Sequence, residues 1–247
     1  MFYLIGLGLK KEDITLRALN VLKKCKKIYI EKYTTELPYK VKELEKLIKK
    51  RLVVISRKDV EENGKRILEE ALKNDIALLV YGDPLAATTH FSLVLEAEKM
   101  KVKYEIVHSV SILNAIANSG LHLYKFGKVV SLPKWSRNYE PKSFIDKIKE
   151  NLRIGAHTLI LVDKDLEVEK ALKQLSLDKE LLNKQLIIAS MVGTSEEKFL
   201  KGKLNEFLKK SSIKKIKKPY CFVIPSQLHF TEEKALEKIK DVSDINF

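Results

Sequence analysis

The sequence is short of arginine. Of its 47 basic residues only six, Arg17, Arg51, Arg57, Arg66, Arg137 and Arg153, are arginine. The guanidinium is the group that forks onto phosphates and guanine edges, so the formal charge of +14 does not by itself point to nucleic acid. The excess is lysine, interleaved with glutamate in runs such as VKELEKLIKK (41–50) and KALEKIK (234–240), a pattern of solvated helix faces. One dense cluster, KKSSIKKIKK at 209–218, leaves an acidic or nucleic-acid partner open. Cysteine is rarer still. Cys25 and Cys221 match no metal or redox spacing and sit in apolar stretches, so buried thiols and a reducing cytoplasm are expected. No apolar run approaches the ~18 residues of a membrane span. The opening MFYLIGLGLKKED gains charge too soon for a secretory signal and reads as a first strand. The five histidines, His90, His108, His122, His157 and His229, have no H-E-x-x-H or C-x-x-C companion, so no metal site is expected.

What is present is an alternation of short β-rich runs with helical periodicity. Strands are predicted at Phe2–Ile5, Ile28–Ile30, Leu52–Ile55, Ile76–Tyr81 and Lys103–Val107. Helices fall between them, at Asp13–Cys25, over 41–48, at Val60–Leu72 and at Phe91–Lys99. Asp13 or Thr15 can cap the first helix. After His108 the rhythm restarts with a short helix (Ser111–Asn118), Val129–Leu132, a helix (Phe144–Leu152) and a strand (Thr158–Val162). Strands at Gln185–Ala189 and Tyr220–Ile224 and a helix at Glu232–Ile239 follow. Strands separated by helices imply parallel pairing and an α/β class, with a mixed sheet in the second half. Two domains are expected, 1–110 and 111–247.

Three strand-end segments carry the candidate chemistry. Gly6-Leu7-Gly8-Leu9 follows a strand and opens a helix, but the third glycine of G-x-G-x-x-G would fall at Lys11, so it is not the dinucleotide fingerprint. It reads equally as a tight turn or a ligand loop. Tyr81-Gly82-Asp83-Pro84-Leu85-Ala86-Ala87-Thr88-Thr89-His90 offers a carboxylate, a glycine and two small residues that leave room for a flat ligand, although Asp-Pro also opens ordinary turns. His108-Ser109-Val110-Ser111 begins an apolar helix as a cap would, at the end of the next strand. His90 and His108 border these loops and read either as substrate contacts or as capping and packing residues.

Together with Glu31-Lys32-Tyr33-Thr34, these segments and His108–Pro133 (HSVSILNAIANSGLHLYKFGKVVSLP) resemble the diphthine synthase family. That family lies within the tetrapyrrole-methylase superfamily of S-adenosylmethionine methyltransferases. NLRIGAHTLILVD (151–163) and IPSQLHFTEEKAL (224–236) are similar to it too, so the resemblance spans nearly the whole chain. The chain departs from the family pattern at Ala189–Glu197, which lacks an arginine soon after the alanine, and at Asp163-Lys164-Asp165. The resemblance implies two αβα domains of the tetrapyrrole-methylase type, a donor site in the inter-domain cleft, and a homodimer. It places S-adenosylmethionine contacts on Leu9, Asp83, Ala86, Ser111 and Ile112 in the first half, and on Val162 and His229 in the second.

The activity it implies is methylation of the amino group of the modified histidine of translation elongation factor 2, in diphthamide biosynthesis. A sulfonium methyl is already activated, so the enzyme need only align an unprotonated amine with the breaking bond, and no catalytic residue is assigned. Two other readings stand beside it. A superfamily relative would methylate a tetrapyrrole or ribosomal RNA; a non-catalytic basic module would bind RNA, though no aromatic-interleaved RNA motif is present.

Overall fold

In β1 (Phe2–Gly6), Phe2 and Leu4 point to one core while Tyr3 and Ile5 point to the other. β4 (Ile76–Val80) divides in the same way, with Ile76, Leu78 and Val80 on the first face and Ala77 and Leu79 on the second. Period-two alternation with both faces apolar is the signature of a strand covered on two sides. The computed structural model describes residues 1–244, and the chain falls into two compact units that meet between Ala115 and Ile116.

The first unit holds a five-stranded sheet, all of whose pairings are parallel. Its order is β3 (Val53–Ile55), β2 (Lys27–Glu31), β4, β1, β5 (Tyr104–Val107). Helices α1 (Leu16–Lys24) and α2 (Val41–Ile48) pack Ala18, Leu22, Leu44 and Ile48 on one face. α4 (Gly64–Lys73) and α5 (Phe91–Lys99) pack Leu68, Ala71, Val94 and Ala97 on the other. A short α3 (Arg57–Glu61) precedes α4, so the single helix expected over 60–72 is two. Gly64 opens the second helix, and a Cβ there would lie 2.5 Å from Leu93, so the close packing of α4 on α5 needs a glycine.

The connections after β1 and β2 run over one face, whereas those after β3 and β4 run over the other. The side of the sheet to which the chain crosses thus switches between β4 and its neighbours, the place in such sheets where ligands commonly bind. The first unit closes with α6 (Ile112–Ala115).

The second unit is built on a six-stranded mixed sheet. Its order is β11 (Lys240–Asp241), β9 (Lys198–Lys203), β8 (Gln185–Ser190), β10 (Tyr220–Ile224), β7 (Thr158–Val162), β6 (Val130–Leu132). The two outer pairings are parallel and the three inner ones antiparallel. α7 (Ser143–Arg153), α8 (Val168–Leu175) and α9 (Leu204–Phe207) bury Phe144, Ile148, Leu172 and Phe207 in one core. α10 (Phe230–Glu237) follows β10. Cys25 and Cys221 are buried and unpaired; burial pushes their thiols up to about 11 and about 12, where no useful thiolate forms. No helix among the described residues is long and apolar enough to cross a membrane. In the lysine cluster, Lys214, Lys217 and Lys218 pair with Glu169, Glu196 and Glu167, which reduces its field.

Candidate functional site

Because the first sheet is parallel, the turns after β1, β2, β4 and β5 gather at one edge. Gly6 shows how closely. A Cβ there would lie 2.6 Å from the Gly82 carbonyl oxygen, 2.9 Å from Pro84 Cδ and 3.0 Å from Ser109 Cβ. Gly8 and Gly82 form a two-way bridge: each N–H donates to the other's carbonyl, at 3.1 and 2.9 Å. Both take positive φ, +75° and +74°, the region that favours glycine. The two loops are thus one stitched frame.

Asp83 ties that frame to the turn after β5. Its Oδ1 accepts the Leu85 N–H (3.0 Å), and Oδ2 accepts the Ser109 N–H (3.2 Å) and pairs with His108 Nδ1 (2.7 Å). The carboxylate therefore sets the loop geometry, which leaves it only its remaining lone pairs for further bonds. Leu9 is buried, with its N–H held by Asp13 Oδ2 (3.0 Å) and its carbonyl by the Tyr81 hydroxyl (3.1 Å). Asp13 thus closes the turn and leaves Thr15 to cap α1 through the Ala18 N–H. Ala86 donates to the Asp83 carbonyl and is half-buried. Ser111 is buried, receives the Leu113 N–H on Oγ and gives its own N–H to Asn114; Ile112 beside it is half-buried. The structure brings Leu9, Asp83, Ala86, Ser111 and Ile112 to one edge of one unit.

In the second unit Val162 ends β7, half-buried. His229 caps α10, its Nδ1 accepting the Thr231 N–H at 3.3 Å, and lies beside the opposite end of β7, near His157. About four residues at ~3.4 Å each separate the two strand ends. His229 belongs to a network that sequence reasoning missed. Glu232, fully buried, accepts N–H bonds from His229 (2.7 Å), His122 (2.8 Å) and His157 Nε2 (3.0 Å), and a charged bond from Lys125. Burial alone would raise its carboxyl, but Lys125 and these donors outweigh it and hold the group at about 2. His157 is buried and pushed below the ordinary imidazole value by desolvation, against the pull of Glu232. Its Nδ1 accepts the Ser226 N–H (3.0 Å), which fixes the neutral ring with its proton on Nε2. The signal available in sequence was the spacing His229-x-x-Glu232, a capping box with an unusual N-cap.

The chain matches the family model described as Tetrapyrrole (Corrin/Porphyrin) Methylases over residues 1–208. The diphthine synthase of Methanocaldococcus jannaschii is 39% identical, over 96% of this chain and 98% of that one. The diphthine methyl ester synthases of Schizosaccharomyces pombe and Homo sapiens are 50% and 44% identical over 66% and 70% of this chain. These matches span only 58% and 62% of those two proteins' own lengths. A solved structure titled "Crystal structure of diphthine synthase" superposes with a TM-score of 0.88 at 32% identity, covering 97% of this chain and 96% of that one. By sequence and by fold, this chain belongs to the tetrapyrrole methylase family and, within it, to the diphthine synthases.

Proposed function

We propose that the chain transfers the methyl of S-adenosylmethionine to the amino group of the modified histidine of elongation factor 2. The observation that carries this reading is the end-to-end match to a protein named diphthine synthase, at 39% identity with 96% and 98% coverage. Leu9, Asp83, Ala86, Ser111 and Ile112 would hold the donor in the first unit, with Val162 and His229 contributing from the second. The stitched Gly8–Gly82 frame suits this role, because its two-way bridge holds the loops after β1 and β4 in fixed register. The donor supplies a methyl on a sulfonium, ready for displacement. The chain supplies alignment and a shielded surrounding, worth ~7–11 kcal/mol in favourable cases.

A carboxylate oxygen is open to the same displacement and gives a methyl ester, the product named for the S. pombe and human relatives. Mass spectrometry of elongation factor 2 carrying the aminocarboxypropyl histidine, after incubation with chain and donor, separates the two. N-methyl groups survive mild base, whereas an ester methyl is lost. We place the protein in the cytoplasm as a homodimer, acting on a protein substrate and not on nucleic acid. The lysine excess, largely paired or on solvated faces, needs no RNA to explain it. The apolar stretch over 112–123 is compatible with a dimer only in part, since Ile116 and Leu121 are buried, while Leu123 and the adjacent Tyr124 are exposed.

A further inference from the structure

Glu31 ends β2 with its side chain 1% exposed. Its Oε2 accepts the N–H groups of Tyr33 (2.9 Å) and Thr34 (3.0 Å), so the loop wraps around the carboxylate. Its Oε1 has no hydrogen-bond partner among the described residues, and neither has the buried Oγ1 of Thr34. His90 arrives from the neighbouring strand's loop and is 2% exposed. Its Nε2 meets the Tyr33 hydroxyl at 3.2 Å, while Nδ1 makes no hydrogen bond among the described residues. Although His90 occupies the N-cap of α5, its side chain caps nothing. Burial keeps its ring below the ordinary imidazole value, against the pull of Glu31.

Three buried polar atoms without partners, joined through Tyr33, are costly to keep unless something fills them. A carboxylate can only accept, so the missing group donates. Arg57, whose guanidinium lies 5.4 Å from the Tyr33 ring centre, stacks on that ring instead of bonding the carboxylate. The cluster lies at the carboxyl edge of the adjacent strands β2 and β4.

We propose that Glu31, Tyr33, Thr34 and His90 form the seat for the acceptor's amine. Glu31 Oε1 and Thr34 Oγ1 take its N–H bonds, so that its lone pair is aimed away from the seat toward the methyl donor. This rests on the reading that the chain methylates an amine. It adds the residues that hold the nitrogen, none of which is among the donor contacts. Each transfer forms a C–N bond as the donor's C–S bond breaks, and the ammonium so formed releases a proton to water before the next methyl is added.

The test measures affinity as well as turnover, so the two readings can fail separately. Calorimetry is run with elongation factor 2 carrying the aminocarboxypropyl histidine, with the unmodified factor as background, and separately with S-adenosylmethionine. Glu31→Gln keeps an oxygen for the Tyr33 and Thr34 N–H groups but turns an NH2 into the seat. Affinity for the modified factor is expected to fall at least tenfold, with donor affinity changed less than twofold. Thr34→Val removes a hydroxyl that bonds nothing in the folded chain, so the fold is kept even where Glu31→Gln unfolds; a loss of threefold or more in the same affinity is expected. Unchanged affinity in Thr34→Val and in folded Glu31→Gln would overturn the seat and leave buried water as the filler. So would equal losses for donor and acceptor. Amine binding that depends on Glu31 with no methyl transfer would leave the seat standing and remove the proposed function.

Discussion

At the residue scale, Glu232 is the most strongly determined side chain in the second unit. A charge with no exposure survives there only because Lys125, His157 and two backbone N–H groups converge on it. Replacing it with alanine leaves those donors buried and unpaired, and is expected to cost about 3–5 kcal/mol. The same network sets a pH dependence. A carboxyl held at about 2 stabilises the fold above its ordinary value of 4.5, and that contribution, on the order of 3 kcal/mol, is lost as the pH falls from about 4.5 toward 2. His157, lowered from 6.5, acts in the same direction: its contribution is complete above 6.5 and declines as the pH falls through its folded value. Urea midpoints measured from pH 7 to pH 3 should fall continuously; a flat profile between pH 5 and pH 3 would contradict the role given to Glu232.

Gly8 is a second residue with a definite consequence. A side chain there would place Cβ 2.2 Å from Asp13 Cβ at a φ of +75°. Gly8→Val is therefore expected to destabilise the first unit by about 2 kcal/mol or more, which makes it a poor probe of donor binding. Ala86→Leu is the better one. At this half-buried position it should weaken S-adenosylmethionine binding at least tenfold in calorimetry while the thermal midpoint stays within a few degrees. A donor affinity equal to that of the parent chain would move the donor away from this edge.

At the element scale, the strands were the most legible features. Thr158–Val162 and Tyr220–Ile224 match their predicted bounds because most of their residues are β-branched or aromatic. β9 was not legible. Its sequence KFLKGK carries three lysines, and pairing with β8 and β11, not composition, makes it a strand. α8 was missed, although Val168, Ala171, Leu172 and Leu175 have helical spacing and form its buried face. The break between α3 and α4 was not read, although Ser56 with Asp59 forms a capping box ahead of α3 and Asn63-Gly64 stands at the interruption. At the first helix, sequence left Asp13 and Thr15 as alternatives, and the hydrogen bonds decide for Thr15. Thr15→Ala should cost about 1 kcal/mol; a stability unchanged in urea would show that the cap contributes nothing.

The candidate site was partly legible for the same reason as the strands. Parallel order brings strand ends to one edge, so the loops beginning at Gly6, Tyr81 and His108 were bound to meet. What sequence did not show was that Asp83 spends its oxygens on Leu85, Ser109 and His108, or that Glu31, Thr34 and His90 leave polar atoms unpartnered. Both depend on side-chain directions across loops distant in sequence.

At the scale of the whole molecule, the two units carry different sheets, one wholly parallel and one mixed, and each builds its own core. The proposed dimer should scatter light at micromolar concentration as about twice the 28.4 kDa chain; a clean monomer would remove the dimer and leave the chemistry intact. The lysine excess makes a further distinction at this scale. If the substrate is a protein held through a seated amine, its affinity should change little with salt, whereas an RNA partner would give a steep logarithmic decline.

The central claim is tested most directly by one mass measurement. Chain and labelled S-adenosylmethionine are mixed with elongation factor 2 bearing the aminocarboxypropyl histidine, and in parallel with ribosomal RNA and a tetrapyrrole precursor. The account predicts mass gained in methyl steps, confined to that histidine and stable to mild base. Label found only in RNA or in the tetrapyrrole, with the elongation factor unchanged, would contradict it.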